Sequence, residues 1–326
     1  MNIKTAVIPV GGAGSGLLPL TAAIEKCMMP IYAGHDPRVL VDYALEECAL
    51  AGLERVVLVA TERGQRQLID HLGLDLPDTL NKQLERVGKD DKIEEEKHRR
   101  RYRHGLKIEF IVQELDDYGN AIPLALALED ERLNLMAEEH IAFLGGDDFI
   151  YRQDDRSMLA EAIAEWEAKG TDHAIIGMHV KREDAVKYGN LQLDEDGNLQ
   201  AFYEKPPLEG VAEEPMVNIS RILLNTRRFA GHVRAEMERE LKVDENGKKD
   251  ERSMKLPLQN ALAEGQSFHV FGAEGEYLDG GTVPGLLAAS IYVNEHPRHR
   301  PFMRLGRPVR VRTPDPAPLS LKHKLQ

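Results

Sequence analysis

The sequence predicts an α/β fold: a Rossmann-like, mostly parallel sheet with helices on both faces. It rests on strand-length apolar runs, helical patterns between them, and glycine- or acid-rich turns closing several of the runs. The runs are Thr5–Val10, Arg55–Ala60, Lys107–Gln113, His140–Leu144 and His173–Met178. Strands buried on both faces read as such near-continuous runs, which is the habit of parallel sheets. Between the first two, Val39–Leu50 repeats apolar residues at helical spacing, and Gly52 follows as a C-terminal stop. In open sheets of this kind ligands lie beyond the carboxyl ends of the strands. Gly11–Gly14, Gln113–Ala121 and Gly145–Asp148 each follow a strand candidate, so all three are expected on one edge.

Two regions depart from the alternation. Residues 75–105 are very polar, with Glu94-Glu95-Glu96 before Arg99-Arg100-Arg101, and read as a helical insertion with a solvated, mixed-charge face. A partner-contact surface is the alternative for its arginines. After residue 185, Asn190–Leu193 and Leu199–Tyr203 flank the Asp196-Gly197-Asn198 turn and predict a β-hairpin. Val217–Leu224 reads as a strand, Arg227–Leu241 as a helix and Lys242–Arg252 as a charged loop. The division expected is an α/β core over residues 1–184, a smaller hairpin-containing part with C-terminal helices over 185–306, and a flexible tail over 307–326. That tail carries Pro308, Pro314, Pro316 and Pro318.

Composition narrows the function. The chain has 326 residues, 42% hydrophobic and 30% charged, which is ordinary for a globular protein with a sizeable core. A net charge of −13 argues against sequence-independent nucleic-acid binding. A local cation cluster or a divalent metal could still receive an anionic small molecule. Cys27 and Cys48 make no disulfide framework and no C-x-x-C pair, and His35, His296 and His299 suggest no zinc site. No apolar run approaches a membrane span and no secretory signal opens the chain, so a cytoplasmic, soluble protein is expected.

The opening turn carries the first chemical signal. Gly11, Gly12, Ala13 and Gly14 follow a strand, and glycines let backbone N–H groups approach and cradle a phosphate. No Gly-Lys-Ser/Thr follows, which excludes a P-loop, and Leu17 stands where a dinucleotide fingerprint needs its third glycine. A tight structural connection is the plain alternative. Asp147, in Gly145-Gly146-Asp147-Asp148, and Asp279, in Tyr277-Leu278-Asp279-Gly280-Gly281-Thr282, each close a strand. Two carboxylates with phosphate oxygens and waters suit Mg²⁺, although an Asp beside Gly also caps turns routinely. In Glu204-Lys205-Pro206 the Glu could accept from sugar hydroxyls and the Lys could neutralise a phosphate, or the two could form a surface ion pair.

Together these motifs resemble those of the sugar-1-phosphate nucleotidyltransferases. Residues Gly11 to Pro19 are similar to that family's G-G-x-G-T-R-L-x-P, and Glu25 to Pro30 to its P-K-x-x-L-P. Gln113 with Gly119-Asn120-Ala121 resembles its nucleobase loop, Asp147 and Asp279 its metal aspartates, and Tyr188-Gly189 and Glu204-Lys205-Pro206 its sugar-site segments. The Leu84–Lys89 helix and Glu183-Asp184 point to the uridylyl branch. The resemblance spans roughly residues 3–295. It implies UTP and glucose 1-phosphate as substrates and Mg²⁺ as cofactor. It also implies nucleotide binding by Gly11, Gly12, Ala13, Gly14, Lys26, Gln113 and Gly119, and sugar-phosphate binding by Tyr188, Gly189, Glu204 and Lys205. Lys26, Asp147 and Lys205 would form the catalytic set, with Asp147 and Asp279 on the metal. A homo-oligomer stays open, with the insertion and the C-terminal part as candidate interfaces.

The chain also departs from that pattern. Gly16 stands where the motif has an arginine that grips the triphosphate, and Ser15 replaces its threonine. Losing one preorganised donor of that kind costs on the order of 10²–10³ in rate. Ser220 and Arg221 occupy a strand where a glycine-containing sugar segment is expected, and Lys255–Asn260 matches E-x-x-L-T-D only loosely. Arg38 could substitute for that cation, although nothing in the sequence places it at the site, and partial rescue by Gly16→Arg would mark a weakened catalyst. A catalytically weak paralogue that binds nucleotide-sugar and regulates a partner is the alternative, as is the same chemistry on another nucleotide or hexose.

Overall fold

Thr5–Pro9 (β1) buries Thr5, Ala6, Val7 and Ile8 in succession, as a strand covered on both faces must. This computed structural model describes residues 3–32, 38–73, 75–101, 105–114, 118–154, 156–243, 247, 249–298 and 310–311. Pro30–Ile31 (β2) and Arg38–Val39 (β3) pair with each other and lead into Leu40–Leu50 (α1). Gly52, at φ 81°, makes the turn to Arg55–Ala60 (β4), and Thr61 then caps Glu62–Leu72 (α2) through its hydroxyl. The polar insertion forms two helices, Asp78–Arg86 (α3) and Asp90–Arg101 (α4). Arg100, within its arginine run, is buried and donates to the carbonyls of Asp70, Gly73 and Asp75, closing the end of α2.

Lys107–Val112 (β5), Ile122–Glu129 (α5), His140–Leu144 (β6) and Asp148–Tyr151 (β7) come next. Met158–Lys169 (α6), His173–His179 (β8) and Arg182–Ala185 (α7) lead to the hairpin Gly189–Leu193 (β9) and Leu199–Glu204 (β10). Met216–Asn225 (β11), Thr226–Glu238 (α8), Lys255–Ala263 (α9), Phe268–Gly272 (β12), Glu276–Asp279 (β13) and Val283–Glu295 (α10) follow. Arg310–Val311 (β14) lies parallel to β5; the rest of the proline-rich tail, with His35 and His299, is outside the described residues.

The main sheet runs β12-β8-β11-β6-β1-β4-β5, with β9 and β10 joined to the first half of β11. β1, β4, β5 and β6 are parallel and β12 is parallel to β8, while β11 alone runs against both β6 and β8. Because β11 lies in the middle of this sheet, residue 184 does not mark a break in it. The expected helix Arg227–Leu241 ends earlier, at Glu238, where Arg239 turns extended and pairs with Glu236 and Asp250.

Strand alternation builds two cores. Ala6, Ile8, Val56, Leu58 and Ala60 pack on one face with Val41 and Leu45 of α1 and Trp166 of α6. Val7, Val57 and Val59 pack on the other with Leu124 of α5, Phe229 of α8 and Leu258 of α9. Burying each large side chain is worth roughly 1.5–3 kcal/mol, so both faces commit the sheet to one register. A third cluster, with Leu17, Leu40, Tyr43, Phe149, Leu278 and Val293, fixes the β7–β13 pair against α1 and α10. No helix among the described residues is long and apolar enough to cross a membrane.

Candidate active site

The parallel strands deliver three turns to the carboxyl edge. After β1, a Cβ on Gly11 would stand 3.0 Å from the backbone nitrogen of Thr61, so close packing on the β4–α2 turn requires glycine there. A Cβ on Gly12 would meet nothing within 4 Å, and Gly14 is left-handed at φ 61°. Gly12 and Ala13 are exposed, so the turn presents backbone to whatever lies above it.

The two distant aspartates meet beside this turn. β7 and β13 are antiparallel with Asp148 opposite Asp279, and the Gly280 N–H donates to the Asp147 carbonyl at 2.9 Å. Lys26 Nζ is hydrogen-bonded and ion-paired to Asp147 Oδ2. A Cβ on Gly281 would lie 2.7 Å from Asp279 Oδ1 and 2.9 Å from Lys26 Nζ, so carboxylate and ammonium flank one point. Burial disfavours the charged Lys26, but Asp147 foremost, then Asp279, outweigh it and hold its pKa above the usual value. Among the described residues there is no cluster of three or more His, Cys, Asp or Glu able to hold a metal. Two half-open carboxylates drawn to one cation fit a hard divalent ion that completes its shell with phosphate oxygens and water.

The sugar-side residues form an adjoining group. Gly189 pairs with Glu204 across β9–β10, and a Cβ on Gly189 would fall 2.5 Å from the Phe202 ring and 3.3 Å from Glu204 Oε2. Lys205 is left-handed at φ 44°, its N–H bonds the Tyr188 carbonyl at 3.1 Å, and its Nζ lies 4.0 Å from Glu204 Oε1. Tyr188 joins the two groups: its ring meets Tyr277 edge-on at 6.0 Å, and burial, then the charge of Asp279, raises its hydroxyl pKa. Across the sheet, Gln113 is buried at the end of β5. Gly119 is pressed on Arg252, whose backbone hydrogen-bonds to Tyr118 and Ala121 on either side.

Sequence reasoning missed the support beneath the aspartates. Arg221 is fully buried and ion-paired to Asp148 and Glu47, and it also donates to the carbonyls of Ile219 and Asp148. Tyr277 donates to the other oxygen of Asp148 at 2.9 Å. Burial pushes the Asp148 carboxyl up, to about 6, against the pull of Arg221. Ser220, at φ 57°, sits in the bulge that turns Arg221 inward. The available signal was a charge inside an apolar strand, which requires a buried partner.

Neither Arg38 nor position 16 supplies the missing cation. Arg38 does not replace the missing arginine, because it is buried, ion-paired to Glu46 at 3.0 Å and laid over the Tyr43 ring. Nor is there room for an arginine at Gly16, where a Cβ would lie 2.6 Å from the Gly281 carbonyl oxygen.

Residues 5–296 match the nucleotidyl transferase family. Over 229 residues the chain is 30% identical to the UTP–glucose-1-phosphate uridylyltransferase 1 of Staphylococcus saprophyticus, covering 69% of this chain and 72% of that one. Over 310 residues it is 27% identical to the UTP–glucose-1-phosphate uridylyltransferase of Mycoplasma pneumoniae, covering 89% and 92%. In fold it is similar to the UTP-bound UGPase from Acinetobacter baumannii, at a TM-score of 0.70 and 20% identity, covering 91% of this chain and 95% of that one. With sheet, glycine-rich turn and paired aspartates in the order that the motifs require, the chain belongs to the nucleotidyl transferase family.

Proposed function

We propose that the protein transfers a uridylyl group from UTP to glucose 1-phosphate and releases pyrophosphate. The observation that carries this reading is the convergence of Asp147 and Asp279 on Lys26, between the Gly11–Gly14 turn and the Tyr188–Lys205 group. The substrates follow from the names of the relatives at 27–30% identity.

The nucleophile is a phosphate oxygen of the sugar, so no side chain needs to attack. That oxygen bonds to the α-phosphorus of UTP while the bond to the bridging oxygen of the β-phosphate breaks, and pyrophosphate leaves with that electron pair. The protein's work is alignment and charge neutralisation. Gly11, Gly12, Ala13 and Gly14 present backbone N–H groups to the nucleotide, Gln113 and Gly119 border the base, and Lys26 neutralises its phosphates. Tyr188 and Gly189 shape the hexose subsite, Glu204 accepts from its hydroxyls and Lys205 neutralises its phosphate. Asp147 and Asp279 would hold Mg²⁺, which when bound offsets charge on the phosphates.

Pyrophosphate release with UTP and glucose 1-phosphate tests the reaction. Asp147→Ala and Asp279→Ala are both expected to abolish release while keeping a cooperative melt. Normal product formation by both variants would overturn the metal assignment. The second reading, a nucleotide-sugar-binding regulator, is favoured by the closure of Gly281 over Gly16; it predicts tight UDP-glucose binding without turnover.

A further inference from the structure

We infer that Glu25 and Arg63 are positioning residues that hold the Lys26 ammonium at the phosphate site, a step that rests on the role proposed above for Lys26. Glu25 stands where the resembled motif has proline, and its side chain is only 5% exposed. A carboxylate buried that deeply needs partners, and it has them at the start of α2. The Thr61 hydroxyl and Arg63 Nε each donate to Glu25 Oε1 at 2.8 Å. The first turn of α2 also favours a negative charge there.

Arg63 spends its other donors on the loop itself. Nη1 bonds the Ala22 carbonyl and Nη2 the Thr21 carbonyl, each at 2.9 Å. The Thr21 hydroxyl in turn donates to the Gly14 carbonyl at 2.9 Å. Gln67, one turn further along α2, accepts from the Glu25 N–H at 3.0 Å and donates to the Ala23 carbonyl at 3.3 Å. On the other side of Lys26, the Met28 N–H closes back on the Glu25 carbonyl at 2.9 Å. Residues 21–25 are thereby tied directly to the start of α2, and Gly14 through Thr21 and Met28 through Glu25 are tied to it indirectly. From this segment the Lys26 side chain reaches across to Asp147, which its Nζ meets in a hydrogen bond. Thr61 also packs on Gly11, so the same terminus registers the glycine-rich turn against the lysine.

A group acting only through Lys26 loses its effect once Lys26 is gone. Glu25→Ala and Arg63→Met are expected to lower kcat for pyrophosphate release roughly ten- to a hundred-fold, since sub-ångström misplacement costs on that order. Glu25→Gln, which keeps the acceptor, should fall between. In a Lys26→Met background, Glu25→Ala should cost nothing more. An equal loss in both backgrounds would overturn the inference, because a general structural role is indifferent to Lys26. Hydrogen exchange on the full-length protein judges the brace independently of the reaction. Both variants should speed amide exchange across residues 14–28 by about ten-fold while β1, β4 and β6 stay protected. Unchanged exchange there sinks the brace, whereas faster exchange in the variants of a protein that shows no turnover sinks only the proposed reaction.

Discussion

Gly16 lies directly against Gly281: a Cβ at residue 16 would stand 2.6 Å from the Gly281 carbonyl oxygen, and the Gly281 N–H holds Asp279 Oδ1 at 2.7 Å. A side chain at 16 therefore pushes on the loop that orients a proposed metal ligand. Gly16→Arg should not rescue a weak catalyst. It is expected to lower stability by about 1–3 kcal/mol, as overpacking does, and to lower kcat by about a hundred-fold through the displaced carboxylate. Thermal melts and initial rates of pyrophosphate release check both; a faster Gly16→Arg enzyme would show that the Gly281 loop yields.

Beneath those ligands, Arg221 is the sole described cation ion-paired to both Asp148 and Glu47. Arg221→Met leaves two carboxylates in the interior without their counter-charge, and should destabilise the fold by about 3–5 kcal/mol. Tyr277→Phe removes one hydrogen bond to Asp148 and should cost about 1 kcal/mol. Denaturant melts of both variants rank the two effects; an Arg221→Met protein as stable as the parent would contradict the buried-pair account.

Much of this was legible in the sequence because of how parallel strands are covered. Two-face burial writes β1, β4 and β6 as unbroken apolar runs, and Asp147 and Asp279 could be picked out because one lies in the glycine turn after β6 and the other ends β13 beside glycine. Arg221 was not legible as support, since its partners lie on α1 and β7 and only three-dimensional packing joins them. The loss of arginine at Gly16 could be read, but not that the carbonyl of Gly281, far along the chain, takes up the space. Arg38 shows the same limit: its charge was legible, but not Glu46, its partner on the next helix.

Ser220 holds a left-handed backbone, φ 57°, that costs a non-glycine residue about 1 kcal/mol. Its carbonyl accepts the Gly145 N–H at 2.7 Å, a bond that survives any side-chain change. Ser220→Gly should therefore stabilise the protein and raise Tm by roughly 1–2 °C. A lower Tm would mean that the serine side chain contributes more than the strain removes.

His173 is fully buried between Phe229 and Phe268, with burial the main cause of a pKa depressed to about 4; Gln266 and Asp172 pull it up, His232 and Arg228 down. Nδ1 accepts the Asn225 N–H at 3.1 Å, and Nε2, 2.7 Å from Gln266 Oε1, carries the proton. The neutral ring satisfies both contacts, whereas protonating Nδ1 sets donor against donor. Unfolded chains take up that proton near pH 6.5, but the folded one waits until about pH 4, so His173 erodes stability as pH falls through this window and no further below it. The loss is about 3 kcal/mol. Asp148 works in the opposite sense, because its folded carboxyl titrates near 6, above its unfolded value of 3.8. The difference between the parent and His173→Phe therefore isolates the histidine. The variant should be less stable at neutral pH, leaving Gln266 and the Asn225 N–H without their partner. Its disadvantage should then shrink between pH 6.5 and 4; a constant gap across that range in urea melts would exclude the buried neutral ring.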